Sequence, residues 1–126
     1  MEQNQDSSAV EELPRCQTVP RISQKLEEKI AALTNGDVIP VLITIKDSKV
    51  SRDERKKAEA IIAEKHPNLF TFLRGKNIRH RYVYAIEQVV AEVNSSQYNG
   101  LKEINHGEII SFDYNGHNLN DYSGLV

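Results

Sequence analysis

The sequence predicts a mixed α+β domain, in which a four-stranded antiparallel sheet carries its helices on one face. Apolar strand patterns lie at residues 39–46 and 108–114, near the two ends of the part of the chain in which apolar residues recur at regular spacing. A hairpin pattern lies between them, with strands at 78–84 and 88–94 joined by residues 85–87. Helical patterns fill the two remaining intervals, so the expected order of elements is β-α-β-β-α-β.

This order of elements is typical of the ferredoxin-like sandwich. Right-handed crossovers place both helices on the same face of the sheet, so the other face is predicted to be bare. Period-two alternation assigns residues to the two faces. It predicts that the helix-free face, with Leu42, Val90, Ile110 and Phe112, is more exposed than the helix-covered face, with Val41, Ile43, Val89 and Val93.

An extra helix is predicted before the first strand. Ser23 is its expected N-cap, and apolar residues follow at helical spacing, including Leu26 and Ile30. Ser95 is the expected cap of the helix that follows the hairpin.

Three segments are expected from the change in composition along the chain. Residues 1–20 are rich in Glu, Gln, Ser and Pro and are predicted to be disordered or loosely packed. Residues 21–115 form the predicted folded domain. Residues 116–126 have no periodicity and are predicted to be a flexible C-terminal tail.

The composition argues against an enzyme or a metalloprotein. The chain has 126 residues, one cysteine (Cys16) and four histidines without the i,i+4 spacing of a metal-binding helix. It contains no nucleophile or phosphate-loop motif. We therefore expect no catalytic residue, no metal site and no cofactor.

Membrane insertion and general polyanion binding are also not expected. No apolar run is long enough to span a membrane, and the formal net charge is −2. Residues 1–20 show no secretory signal, so a cytoplasmic location is expected unless a signal was removed.

A basic cluster near the hairpin leaves nucleic acid as an alternative partner. Arginine and lysine residues with aromatic neighbours on a sheet can bind single-stranded RNA. The strand at 89–93 nevertheless lacks aromatic residues, which favours a solvated hairpin. The alternative function is a ferredoxin-like interaction or regulatory module, with RNA as one candidate partner; the residues concerned are Arg74, Lys76, Arg79, Arg81, Tyr82 and Tyr84.

Three stretches together resemble the propeptides of subtilisin-like serine proteases and the free inhibitors related to them. The first runs from Arg21 through the strand that ends at Asp47. The second is the hairpin 82–93, and the third is the closing strand 107–114. The resemblance covers about residues 21–115 and consists of apolar patterns. It departs from the family where Tyr84-Ala-Ile-Glu87 replaces a glycine-rich hairpin turn.

The resemblance implies an inhibitor and folding chaperone of a subtilisin-like protease, acting in cis as part of a zymogen or in trans. The protease would dock on the open sheet face, and Glu87 and Glu92 would cap helix N-termini of the protease. The tail would enter the substrate cleft as an added strand. A propeptide would act outside the cytoplasm. The implied docking residues on the face are Leu42, Val90 and Phe112, and the implied tail anchors are Leu119, Tyr122, Leu125 and Val126.

Overall fold

The computed structural model describes residues 20–34, 36–104 and 108–122, and shows a mixed α+β fold. This confirms the predicted fold class at that level. In chain order the strands and α-helices are β1 (Arg21–Ile22), α1 (Gln24–Ala31), β2 (Ile39–Ile45), α2 (Ala58–Lys65), α3 (Pro67–Gly75), β3 (Arg79–Val83), β4 (Gln88–Val93), α4 (Ser95–Glu103) and β5 (Ile109–Asp113). Two short 3₁₀ helices span Arg52–Lys57 and Leu119–Tyr122.

The sheet has five strands in the order β1-β5-β2-β4-β3, so the prediction of four strands is wrong. The additional strand β1 pairs in parallel with β5, placing Ile22 opposite Phe112. The other three pairings are antiparallel. A strand of two residues is too short to show period-two alternation, which is why sequence patterning did not reveal β1.

An irregularity in the β2–β5 pairing changes which residues of β5 face the helices. Ile43 lies opposite Phe112, but Ile45 lies opposite Ile109, so β5 has one residue more than β2 over this interval. Such a bulge shifts the alternation by one residue. Ile109 and Phe112 therefore both join the core on the helix side, whereas Ile110 stays 39% exposed. The prediction that Phe112 belongs to the helix-free face is wrong for this reason.

The main core lies between the sheet and the helices. All four α-helices contribute buried residues to it, and Tyr98 of α4 packs edge-on against Phe112 with ring centroids 5.8 Å apart. Removal of this apolar surface from water is the main stabilising contribution to such a fold. The residues predicted to face the helices, Val41, Ile43, Val89 and Val93, are all completely buried, as expected.

Side-chain caps define where two of the helices begin. The Ser23 hydroxyl accepts a hydrogen bond from the Leu26 amide at 3.0 Å, which confirms the predicted N-cap of α1. In α4 the cap is Asn94 rather than the predicted Ser95. Asn94 and Gln97 form a reciprocal capping box, in which each side chain accepts a hydrogen bond from the other residue's amide.

Helix α2 is tied to the outer strand β3 by a side chain. Oε1 of Glu59 accepts a hydrogen bond from the Tyr82 amide at 3.0 Å. The Tyr82 hydroxyl donates to the carbonyl oxygen of Ser48, in the loop before the first 3₁₀ helix. These two contacts fix Tyr82 within the core on the helix side.

Candidate functional site

The helix-free face of the sheet carries an apolar patch formed by Leu42, Val83 and Val90. The three side chains come from three adjacent strands, β2, β3 and β4, and Leu42 lies directly opposite Val90. Each belongs to the face opposite the main core because it alternates with core residues along its strand. A contiguous apolar patch on a sheet face is typical of a surface that is covered or that binds a partner.

The C-terminal segment of the chain itself covers this patch. We call residues 115–122 the cover. After β5 ends at Asp113, the chain reverses at Gly116, whose φ of +85° lies in the left-handed region that glycine adopts without strain. Leu119 and Tyr122 then join Leu42, Val83 and Val90 in a second apolar cluster.

The prediction of a bare helix-free face is therefore wrong. Leu42 is 7% exposed and Val90 is fully buried, although none of the described α-helices lies on their side. Leu119 and Tyr122, predicted to anchor in a partner's cleft, are 7% and 5% exposed on the chain's own sheet. The structure differs here from a flexible tail, because the 3₁₀ turn places these two apolar residues on one side, three positions apart.

Hydrogen bonds inside the cover hold its shape. The Asn115 side-chain amide donates to the Tyr122 hydroxyl at 2.9 Å, which closes the segment on itself. The Asn118 amide donates to Oδ2 of Asp121 at 2.9 Å, and the Asp121 amide donates back to the Asn118 carbonyl at 3.0 Å. The cover is thus a small unit whose polar groups are paired largely within itself.

Glu92 of β4 joins the cover to the sheet. Its Oε2 accepts a hydrogen bond from the Leu119 amide at 3.0 Å, and its Oε1 lies 3.1 Å from Nη1 of Arg79. The Glu92 side chain is only 12% exposed. Leu119 is the first residue of the 3₁₀ helix, whose leading amides lack partners within the helix. A carboxylate in this position gives a charge-assisted hydrogen bond, so Glu92 caps a helix of its own chain.

Glu87, the other predicted capping residue, lies elsewhere. It is the last residue of the hairpin turn, with φ of +56°, and its amide donates to the Val83 carbonyl at 2.9 Å. Gln88 and Glu92 lie four positions apart on an extended strand, or about 13 Å. Because Glu87 precedes Gln88, the structure places the two predicted capping residues at opposite ends of β4.

The region of the helix-free face beside the cover carries hydrogen-bonded polar side chains. Nε2 of Gln88 donates to the Thr44 hydroxyl at 2.7 Å, and the Ser111 hydroxyl donates to Asp113 at 3.2 Å. Thr44 and Gln88 are partly exposed. The face therefore has an apolar region under the cover and a polar region beside it. The last two predicted anchors, Leu125 and Val126, lie outside the described residues.

The residues considered for RNA stacking are engaged in contacts with the protein. Tyr82 is 2% exposed and cannot stack on a base. The Tyr84 ring lies under the Arg55 guanidinium, with the guanidinium carbon 5.3 Å from the ring centroid. Arg79 is paired with Glu92. Tyr82 and Tyr84 therefore do not form an exposed aromatic platform on which RNA bases could stack.

Two buried tyrosines differ in how their hydroxyls are satisfied. The Tyr82 hydroxyl has the Ser48 carbonyl as its acceptor, whereas the Tyr98 hydroxyl has no hydrogen-bond partner among the described residues. Burial, followed by the nearby Glu87 and Tyr84, raises the pKa of Tyr82 to about 12. Burial and then Glu27 raise the pKa of Tyr98 to about 12.

One buried histidine was not singled out by its sequence context. His66, between α2 and α3, is 4% exposed, and its Nε2 lies 2.7 Å from the Lys46 carbonyl oxygen. Its Nδ1 lies 3.8 Å from a carboxylate oxygen of Glu108 and has no hydrogen bond there. Within the described ranges, no three His, Cys, Asp or Glu residues lie close enough together to hold a metal ion. The His66 ring thus links the junction of α2 and α3 to Lys46, the residue that follows β2.

Comparisons of this chain with protein-family models, with curated proteins and with solved structures find no significant match. No helix in the described part of the chain is long and apolar enough to cross a membrane. The function must therefore be argued from the helix-free face and its cover.

Proposed function

We propose that strands β2 to β5 with their intervening helices form a ferredoxin-like unit to which β1 is added. The order of these four strands, β5-β2-β4-β3, supports the proposal. Each of the two halves connects a pair of strands through helices on the same side of the sheet, and a hairpin links the halves.

We further propose that the chain is a propeptide-type inhibitor and folding chaperone of a subtilisin-like serine protease. The single observation that carries the proposal is the pairing of the Glu92 carboxylate with a helical amide beside the apolar patch. The proposed docking needs those two features, a buried acceptor for a helix N-terminus and apolar side chains next to it. The function requires no catalytic group and no cofactor in this chain.

In the proposed complex, the helix-free face packs against surface helices of the protease. The chain after β5 then extends along the substrate cleft as an added strand. Leu119, Tyr122, Leu125 and Val126 remain the proposed anchors. Such a chain acts where its protease is made and matures, in cis as a propeptide or in trans as an inhibitor.

A direct test is inhibition of a panel of subtilisin-like proteases by the purified chain, including any protease encoded beside it. We expect a dissociation constant of about 1 μM or tighter, roughly 8 kcal/mol of binding free energy. Binding to a protease whose catalytic serine is replaced by alanine separates docking from cleavage of the inhibitor. No slowing of any protease at high micromolar inhibitor would refute the proposal.

A matched pair of variants tests the docking face without altering the cover. Thr44→Arg places a long charged side chain in the partly exposed polar region of the face. Glu64→Arg introduces the same side chain at an exposed position of α2, on the helix side. We expect Thr44→Arg to weaken inhibition at least about tenfold, or 1.4 kcal/mol, and Glu64→Arg to leave it unchanged. Equal effects, with both variants folded by circular dichroism, would contradict docking by this face.

A further inference from the structure

We infer that the cover, residues 115–122, is a displaceable lid on the helix-free face, and that the chain exchanges between a closed form and an open form. The closed form is the one described here, with Leu119 and Tyr122 on the patch. In the open form the cover leaves as a unit while the rest of the sheet and its helices remain folded. The identity of the docking partner rests on the proposed function, but the lid does not.

The contacts of the cover are asymmetric. Its internal hydrogen bonds, such as Asn115 to Tyr122 and Asn118 to Asp121, involve no residue of the sheet and so need not break when it lifts away. Its described attachment to the sheet consists of two apolar side chains and the Leu119–Glu92 hydrogen bond. Few long-range contacts and an exposed outer surface are the conditions under which a segment opens locally.

The sheet loses little order when the cover leaves. Val83 and Val90 are held by the β3–β4 pairing, and Leu42 is held by pairing on both sides of β2. Glu92 keeps its ion pair with Arg79. The open form therefore retains a preformed patch with the Glu92 carboxylate beside it.

The cover and the proposed partner compete for the same groups of the sheet. The docking proposed above uses the patch and Glu92, and both are occupied in the closed form. Leu119 and Tyr122 cannot lie on the patch and in a protease cleft at once. Docking must therefore displace the cover, and the apparent affinity is reduced by the fraction of chains that are closed.

Amide exchange of the full chain tests the lid in the absence of any partner. We expect the Leu119 amide to be protected, and to exchange through an opening that denaturant accelerates less steeply than it accelerates the global unfolding that exposes β2 and β4. The double variant Leu119→Ser/Tyr122→Ser should lose this protection at least tenfold. Asn120→Ser, an exposed position of the same turn, should not. Amides of β2 and β4 should stay protected in all three proteins.

Two outcomes of this measurement would overturn the inference. If Leu119 exchanges only with the global unfolding seen by β2 and β4, the cover is part of the cooperative fold and not a lid. If Leu119 is unprotected in the unaltered chain, there is no closed form.

Association with a subtilisin-like protease carrying an inactivated catalytic serine gives the second measurement. We expect Gly116→Val, which strains the reversal at φ of +85° and leaves the proposed anchors unaltered, to associate about three- to tenfold faster than the unaltered chain, because the open fraction limits encounter. An unchanged association rate in a chain that binds would overturn the gating role. If neither protein binds, the proposed function fails, and the exchange data still decide whether the lid exists.

Discussion

The two faces of the sheet are covered in different ways. On one face, four α-helices bury a continuous core in which Phe70, Tyr98 and Phe112 are almost fully enclosed. On the other, a segment of eight residues covers three apolar side chains by means of Leu119 and Tyr122. Both faces contain fully buried residues, Val89 on the first and Val90 on the second.

The comparison shows that burial of a side chain and commitment of that side chain to the fold are separate properties. A helix packed across several strands adds contacts that form and break with the whole domain. A short segment such as the cover buries side chains that a single local opening exposes again. The predictions below test this distinction.

The largest expected effect comes from paired truncations on the two faces. Leu101→Ala, at a completely buried position of α4, should lower the free energy of unfolding by about 2–5 kcal/mol. Leu119→Ala should lower it by about 1 kcal/mol or less, because the chain can release the cover and keep the main core. Denaturant unfolding followed by circular dichroism measures both values. Equal losses would mean that both faces belong to one cooperative unit.

The buried tyrosines allow a smaller and more specific comparison within the helix-covered face. Tyr82→Phe removes the donor to the Ser48 carbonyl and should cost about 0.5–1.5 kcal/mol. Tyr98→Phe removes a hydroxyl that has no partner among the described residues, so it should be neutral or stabilising by up to about 1 kcal/mol. Unfolding at neutral pH measures the difference, and a cost for Tyr98→Phe as large as that for Tyr82→Phe would contradict this assignment.

The same two tyrosines predict a loss of stability at alkaline pH. In the unfolded chain a tyrosine releases its proton near pH 10, whereas in the folded chain the pKa values of Tyr82 and Tyr98 are about 12. The folded state therefore keeps protons that the unfolded state has lost, and stability should fall between about pH 10 and pH 12. Each Phe variant should show a shallower fall in an unfolding series across this range. An identical slope in both variants and the unaltered chain would count against these assignments.

The smallest expected effect lies in the hairpin turn. Glu87 adopts φ of +56°. This conformation has a higher free energy for a residue with a Cβ atom than for glycine. Glu87→Gly should stabilise the chain by roughly 0.5–1 kcal/mol after the greater flexibility of glycine in the unfolded state is included. Ala85→Gly, at an exposed position of the same turn without a positive φ, should instead destabilise it slightly. A thermal melt of the two variants gives the sign of each change.

The strands and the helix-side core could be predicted well because apolar residues recur at a regular spacing in them. Four of the strands lie within one or two residues of their expected positions, and Val41, Ile43, Val89 and Val93 face the helices as expected. The assignment failed where the period breaks. One extra residue in β5 turned Phe112 toward the helices.

The candidate site was only partly predictable for a related reason. The sequence predicts Leu119 and Tyr122 as anchors in a partner's cleft, and Glu92 as a cap for a helix of that partner. The structure brings these three residues together within one chain. Their contact depends on the reversal at Gly116, and a tail without periodicity gives no indication of where it packs.

The hydrogen bond from the Tyr82 amide to Glu59 has a consequence for association between chains. β3 is an outer strand, and an outer strand with free amides can add a strand from another molecule and begin aggregation. Glu59 occupies one of those amides and places a negative charge beside it. We expect Glu59→Ala to raise light scattering of concentrated samples, while Glu64→Ala, on the same helix, should not. One carboxylate on α2 thus makes β3 a poor template for intermolecular strand pairing.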